Sequence, residues 1–537
     1  MCLGLLALGP GLRRGFLLSY DMVFVPREPF AAAMPGLAPP RAVPSDLVVA
    51  AASRVVPGDI VQKLVLVAIF MLGCAGVAAL LDTEPLLARL AGGVFYVWNP
   101  YVAERLIIGQ WALLLGYAGL PWVLKAVLSP DEARWRWTAR LCFSLLPAVI
   151  GGFAAMTITA LVLVPAVLFT RSARRAAIAL AVLAAGCLPW LIPSLQHTVY
   201  VDPRGVAAFA ARADTPFGSV GSLLMLGGAW NAQTVPAGYG GAWSALWLAV
   251  VIVALLGYLL SVRHSPPGGS ARGLRGDGFP PGEGTAVPPG QHRWPGLGVA
   301  ALAGLLIACI GVTAPGRDLL RAVAGAWPGA AVLRDAQQFV APLALAEAAG
   351  FGVVVARAMN PGSFGTNRMR APTSGLDRTG VALAVLALLA PVLLLPGLAW
   401  GAAGRLRPAW YPAGWLAAAR VIDASPARGA VLLLPFQTYR RPAWNHGEAV
   451  FDPWSKLLAR PVIWNDGTRV GDIGLTPDDP RARRLDGAIR RGGPLTATLG
   501  AAGVRFVVDD TDGPGPRLPG AVVVVDQPGL TVYRLPG

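Results

Sequence analysis

Three stretches of the chain set ionisable side chains where they could do chemistry. In Ser19-Tyr20-Asp21-Met22-Val23-Phe24-Val25-Pro26-Arg27-Glu28-Pro29-Phe30, the carboxylate of Asp21 stands among aromatic and apolar residues. Desolvation makes a carboxylate a better base, so Asp21 suits proton abstraction; alternatively it caps or hydrogen-bonds its own loop. In Trp98-Asn99-Pro100-Tyr101-Val102-Ala103-Glu104-Arg105-Leu106, followed by Gly109-Gln110-Trp111, a proline breaks a helix just before an adjacent acid and base. Glu104 and Arg105 fall at the edge of apolar runs, where an unpaired charge is costly. They read either as a substrate-binding pair or as an interfacial ion pair within an aromatic belt of Trp98, Tyr101 and Trp111. Third, Leu333-Arg334-Asp335-Ala336-Gln337-Gln338-Phe339 puts a guanidinium at the start of a helix. Guanidinium with helix-terminal amides binds phosphate; the alternative is an Arg334–Asp335 ion network that closes the loop. Two more polar stretches, Ala213-Asp214-Thr215-Pro216-Phe217-Gly218 and Gly227-Gly228-Ala229-Trp230-Asn231, share the long loop 196–242.

The elements that must position these residues are membrane helices. Of 537 residues 55% are hydrophobic and 14% charged, against about 25% charged in soluble domains. The net charge of +16 includes only three lysines, Lys63, Lys125 and Lys456, and carries no nucleic-acid signature. The five cysteines lie in apolar segments without ligand spacing, and His197 and His446 have no ligand-spaced partners, so no metal site is read. A helix needs about 20 apolar residues to cross a bilayer. Apolar stretches run at 58–81, 86–98, 106–128, 141–169, 176–195, 243–262, 295–314, 338–356 and 380–402. The stretch 141–169 is too long for one crossing and has Gly151-Gly152 in its middle, so it is expected to be a helical hairpin. Met1 to Pro10 reads as the tail of a first membrane helix.

Positive residues prefer the cytoplasmic side. With the hairpin in place, Lys125/Arg134/Arg136, Arg171/Arg174/Arg175, Arg263/Arg272/Arg275 and Arg357/Arg368/Arg370 all become cytoplasmic. The expected fold is a mainly α, polytopic helix bundle of about eleven spans over 1–403, with the N-terminus inside and the C-terminus outside. Its first external loop, 13–57, carries an interfacial helix that Ser45-Asp46 should cap and that runs through Val56. Arg13, Arg14, Arg27, Arg41 and Arg54 are then external and need a reason to be there. The Pro/Gly-rich stretch 264–293 is expected to be a disordered cytoplasmic linker. Glu347 lies alone in an apolar helix and should pair with an arginine or face a cavity. From 404 to 537 the pattern turns soluble, and a small extracytoplasmic α/β domain is expected. Its elements are a helix from Pro412 to Asp423 and strands at Ala430–Phe436, Gly503–Asp509, Val522–Asp526 and Leu530–Arg534.

Together these features resemble the GT-C class of membrane glycosyltransferases, especially the actinobacterial arabinofuranosyltransferase-like and YfhO-like proteins. The resemblance rests on the Asp21 loop with its interfacial helix, Asn99-Pro100-Tyr101-Val102-Ala103-Glu104-Arg105, Leu333-Arg334-Asp335, and the terminal Gly503-Val-Arg-Phe-Val-Val with Leu530-Thr-Val-Tyr-Arg. It implies a multi-pass plasma-membrane enzyme that takes sugar from a polyprenyl-phosphate donor to a cell-envelope glycan or lipid acceptor. In that class an acid of the first external loop is the catalytic base or a metal ligand, and Asp21 matches that position. Arg27, Arg54, Glu104, Arg105, Arg334 and Asp335 would bind substrate, with the arginines facing the leaving phosphate. The loop lacks the adjacent acidic pair of several class members, so a divalent cation is left open and no metal ligand is assigned. The competing reading is a non-catalytic transporter or scaffold for envelope lipid or polysaccharide assembly.

Overall fold

The structure is a computed structural model that describes residues 1–34, 42–129, 133–196, 200, 202–263, 294–359, 378–511 and 515–537. The linker 264–293, His197, Arg41, Arg272, Arg275, Arg368 and Arg370 lie outside the described residues.

The chain is a helical bundle capped at one end by loops and a C-terminal sheet region. Four helices are long and apolar enough to cross a bilayer: Gly58–Leu80, Ala173–Leu195, Trp243–Val262 and Ala336–Met359. Two bent pairs raise the number to six if each is one crossing: Leu297–Ile310 with Ala314–Ala326 (97°), and Arg378–Leu394 with Pro396–Gly404 (61°). Among the described residues, length and composition thus give fewer crossings than eleven. The difference lies in helices such as Leu86–Val97 and Trp111–Val127, whose 12 and 17 residues fall short of the about 20 a straight crossing needs.

At the centre runs Ala341–Met359, buried along nearly all its length. Small residues allow this. A Cβ on Gly350 would lie 2.0 Å from the Ala254 carbonyl oxygen, and one on Gly257 would lie 2.3 Å from that of Gly350, so the two backbones meet directly. Membrane helices associate through such close packing, because lipid offers no hydrophobic drive between them. Glu347, fully buried on this helix, has no hydrogen-bond partner for either carboxylate oxygen among the described residues, contrary to the expected arginine pair.

The stretch 141–169 belongs to two helices, Arg134–Gly151 and Phe153–Phe169, which turn at Gly152 with φ 77°. The start of the first and the end of the second lie together. Arg140 Nη1 donates to Ser129 Oγ at 2.9 Å, Arg175 Nη1 donates to the Ser129 carbonyl at 3.3 Å, and Arg175 covers the Trp137 ring at 5.5 Å. Lys125 pairs with Asp82 at 2.8 Å at the same end of Trp111–Val127. The first residue of that helix points to the other end of the bundle, where Asp21, Glu104 and Arg334 reside.

The C-terminal strands form a five-stranded mixed sheet in the order Val522–Gln527, Leu530–Arg534, Val504–Asp509, Ala430–Leu434, Val462–Ile463. Ala430–Leu434 is parallel to both of its neighbours, and Leu530–Arg534 is antiparallel to both of its own. The two-residue strand Val462–Ile463 was not expected; it is too short to show a period. The helix Ala413–Ala424 packs beside the sheet.

The first loop is bound into this region. Phe16–Leu17 pairs antiparallel with Pro408–Ala409, Tyr411 Oη donates to the Phe24 carbonyl at 2.8 Å, and Asn445 Nδ2 donates to the Leu18 carbonyl at 3.2 Å. One hydrophobic core runs from the membrane helices through Phe24 to Trp415, Trp454 and Phe506.

Candidate functional site

The site is built on a short helix, Pro100–Ile107. Asn99 caps it: its side-chain oxygen accepts from Val102 N at 3.0 Å, and its Nδ2 donates back to the Tyr96 carbonyl at 2.7 Å. With Pro100 at the first helical position, the chain stops one helix and starts another within a few residues. Trp98, Tyr101 and Trp111 are buried here rather than spread as an aromatic belt, and Tyr101 Oη donates to the Gln338 carbonyl at 3.0 Å.

This restart brings Glu104 and Arg105 into the interior, 2% and 3% exposed. Arg105 holds Asp335 through both terminal nitrogens, Nη1–Oδ2 at 2.8 Å and Nη2–Oδ1 at 3.2 Å, and also donates to Gln110 and Gln337. Its terminal nitrogens are thus taken by protein. The Glu104 Oε2 accepts from Gln337 Nε2 at 3.0 Å, and Gln337 also donates to the Gly227 carbonyl at 3.2 Å. On the far side of Glu104 stands Asp214, which accepts from Gly228 N at 2.5 Å. Burial first, then Asp214, pushes the Glu104 carboxyl well above the usual carboxylate range. A small pocket opens on this group, lined by Glu104, Arg105, Ile108, Trp230, Thr234 and Gln337. Asp214 and Gln337 belong to stretches that the sequence marks as polar, yet nothing in their spacing shows that they meet Glu104.

Asp21 is exposed at the surface, on a loop that meets the end of the same short helix. Its amide donates to the Ile108 carbonyl at 3.0 Å, and Ser19 Oγ donates to the Ile107 carbonyl at 2.6 Å, so the 19–22 loop sits on the C-terminal end of the short helix. Gly109, with φ 86°, permits the approach: a Cβ there would lie 2.2 Å from Met22 N. Tyr439 Oη donates to Asp21 Oδ1 at 2.6 Å. Arg334 is half-buried over the Phe209 ring at 5.1 Å, and Phe209 meets Trp230 edge to face at 4.8 Å. Asp21, Glu104, Arg105 and Asp335 therefore gather around one helix, with Arg334 joined through two aromatic rings.

Arg27 and Arg54 are elsewhere. Both are exposed on the first loop, Arg54 over the Phe30 ring at 5.0 Å, and neither lines the pocket. Beside them is a buried charge cluster. Lys456 Nζ lies 2.7 Å from Asp46 Oδ1 and 3.9 Å from Glu28 Oε1. Ser45 makes no side-chain cap; it bonds the Ala42 carbonyl instead, and Asp46 turns to Lys456 rather than to the helix amides. The Ser45–Ala52 helix thus forms where expected but is held by an ion pair. Burial pushes the Glu28 carboxyl up to about 8, against the opposing pull of Lys456. Among the described residues no three His, Cys, Asp or Glu side chains stand together as a metal site, and Glu28 and Asp46 face the Lys456 ammonium.

No protein-family model and no curated protein matches the sequence. Solved structures do. The mycobacterial arabinofuranosyltransferase AftD aligns with 100% of this chain at 16% identity, with a TM-score of 0.55, over 39% of its own length. A point mutant of that enzyme, in its second class, aligns with 99% of this chain at 15% identity and TM-score 0.57, over 40% of its own length. The chain spans about two fifths of the length of the structures it matches. From end to end, the bundle and its C-terminal sheet have the fold of the matching part of AftD.

Proposed function

We propose that the chain is a multi-pass membrane glycosyltransferase that moves a sugar from a polyprenyl-phosphate donor to a cell-envelope glycan or lipid on the extracytoplasmic side. The fold it shares with an arabinofuranosyltransferase makes an arabinofuranosyl donor the first to test. The observation that supports the reading is the setting of Asp21: exposed, and tied by its amide to Ile108, which with Glu104 lines a small pocket. The basic cluster of Lys125, Arg140 and Arg175 at the opposite end of the bundle supports an outward-facing site and an extracytoplasmic C-terminal region, in a chain of about eleven crossings.

In this mechanism the acceptor oxygen attacks the anomeric carbon while its proton passes to the Asp21 carboxylate. The bond from that carbon to the donor phosphate breaks, and its electron pair leaves with the phosphate. Arg334 meets the growing negative charge. Arg105 and Asp335 act as a clamp that holds the pocket wall, and Glu104 presents a neutral carboxyl to the bound sugar. Arg27 and Arg54, exposed on the same loop, meet the donor phosphate or lipid headgroups as the donor approaches.

The test is transfer from radiolabelled polyprenyl-phosphoarabinofuranose in membranes carrying the chain. Asp21→Asn should insert and fold as the parent does and lose transfer; retained transfer removes Asp21 from the mechanism. A parent chain that transfers none of the labelled sugar turns the balance to the scaffold reading.

A further inference from the structure

The hydroxyl that touches Asp21 comes from a residue 418 positions away, in the C-terminal region. Tyr439 lies in the strand Tyr439–Arg440, paired antiparallel with Val450–Phe451. The first loop joins this hairpin as a third edge: Tyr20 N donates to the Ala449 carbonyl at 2.6 Å, and Phe451 N donates to the Tyr20 carbonyl at 2.8 Å. Tyr20 is held there at φ 44°, a left-handed conformation that a side chain disfavours. Its ring packs edge to face on Tyr439, with centroids 5.6 Å apart, and its hydroxyl donates to Gln233 Oε1 at 2.5 Å. Strain accepted and then secured on both sides means that the direction of the next residue, Asp21, is set by the C-terminal hairpin.

We propose that Tyr439 is the positioning residue for Asp21: its phenol fixes the carboxylate plane by holding Oδ1, and the C-terminal region is thereby part of the active site. This rests on the reading of Asp21 as the base. The Asp21 carboxylate is faced by Tyr439 and Lys456 from the C-terminal region and by Tyr20 from its own loop. Glu28 and Asp46 stand behind Lys456, and Glu104 lies beyond Ile108. The Tyr439 hydroxyl can be removed without emptying a packed ring site or unpairing a buried charge, and of these groups it is the one bonded to Asp21 Oδ1.

The experiment uses the full chain in detergent or nanodiscs and needs no substrate. A water-soluble carbodiimide modifies protonated carboxyls, and peptide mass spectrometry reads modification of the exposed Asp21 against pH. A hydrogen bond to the ionised form favours that form, so Tyr439→Phe should move the midpoint of Asp21 modification upward by about one pH unit. The Phe ring keeps the contacts with Tyr20 and Phe451, and the unfolding temperature should stay that of the parent. In the transfer assay the same variant should lose about tenfold in kcat with KM unchanged, and the acid limb of its pH profile should follow the labelling midpoint. An unshifted midpoint overturns the proposal even if Asp21→Asn abolishes transfer. A shifted midpoint together with full transfer by Asp21→Asn leaves the positioning contact intact and removes the base.

Discussion

Arg105 and Asp335, 230 residues apart in sequence, meet through two parallel hydrogen bonds of 2.8 and 3.2 Å beneath the pocket. The guanidinium is 3% exposed as a side chain and the carboxylate 20%, so Arg105 cannot turn to water when Asp335 is removed. Breaking a buried pair from one side costs about 3–5 kcal/mol, because an uncompensated charge remains. Asp335→Ala should therefore lower the unfolding free energy by that amount in a denaturant titration in detergent. Arg105→Lys should recover only part of the loss, since an ammonium cannot make the fork.

Gly109 lets the Asp21 loop rest on the end of the Pro100–Ile107 helix. Alanine there places a methyl group 2.2 Å from Met22 N, at a φ of 86° that a side chain adopts at a cost of about 1–2 kcal/mol. The loop must lift. Displacement of a reacting group by about 1 Å can cost a hundredfold in rate, so Gly109→Ala should cut transfer by about that factor while the helical circular dichroism is unchanged. Equal transfer by the two proteins would show that the seat of the loop does not matter.

Glu28 gives stability a pH dependence with a definite sign. Its folded value of about 8 exceeds the unfolded value, so the native state binds the extra proton and stability falls as pH rises through the interval between them. Above about 8 the slope ends. Glu28→Gln should remove the fall, so that parent and variant unfold alike near pH 5 and the variant is the more stable at pH 9. A parent whose unfolding temperature is flat from pH 5 to 8 contradicts this.

Glu347 lies fully buried in the central helix with no donor for either oxygen among the described residues. Replacing it with a methionine of similar volume should raise stability by about 1–3 kcal/mol, the cost of burying a polar group without a hydrogen bond. A drop in the unfolding temperature of Glu347→Met would mean that the carboxyl has a partner in the membrane-embedded protein.

The fold was legible where a long period or a strong breaker wrote it. Apolar runs of twenty residues, the Asn99-Pro100 restart, Gly152 and the valine-rich C-terminal strands all announce themselves locally. The count of crossings was not, because Leu86–Val97 and Trp111–Val127 are apolar at lengths that composition alone cannot resolve. Within the candidate site, the charged residues stand out by their cost: Asp21, Glu104, Arg105 and Asp335 lie beside apolar residues, where charge needs a reason. Their partners were not found. Asp214, Gln337, Tyr439 and Lys456 are ordinary in their own surroundings, and only tertiary contact gives them roles. Asp46 misled for the opposite reason, since Ser45-Asp46 before an apolar run reads as a cap, but Lys456 competes for the carboxylate from 410 residues away.

Pairing of Phe16–Leu17 with Pro408–Ala409 has a consequence for biogenesis. The ribosome delivers the first loop long before the strand that will receive it, and every intervening helix must be inserted while that loop waits without its edge. Closure of this seam is thus among the last events of synthesis, and a half-made chain carries the first loop without the strand that receives it.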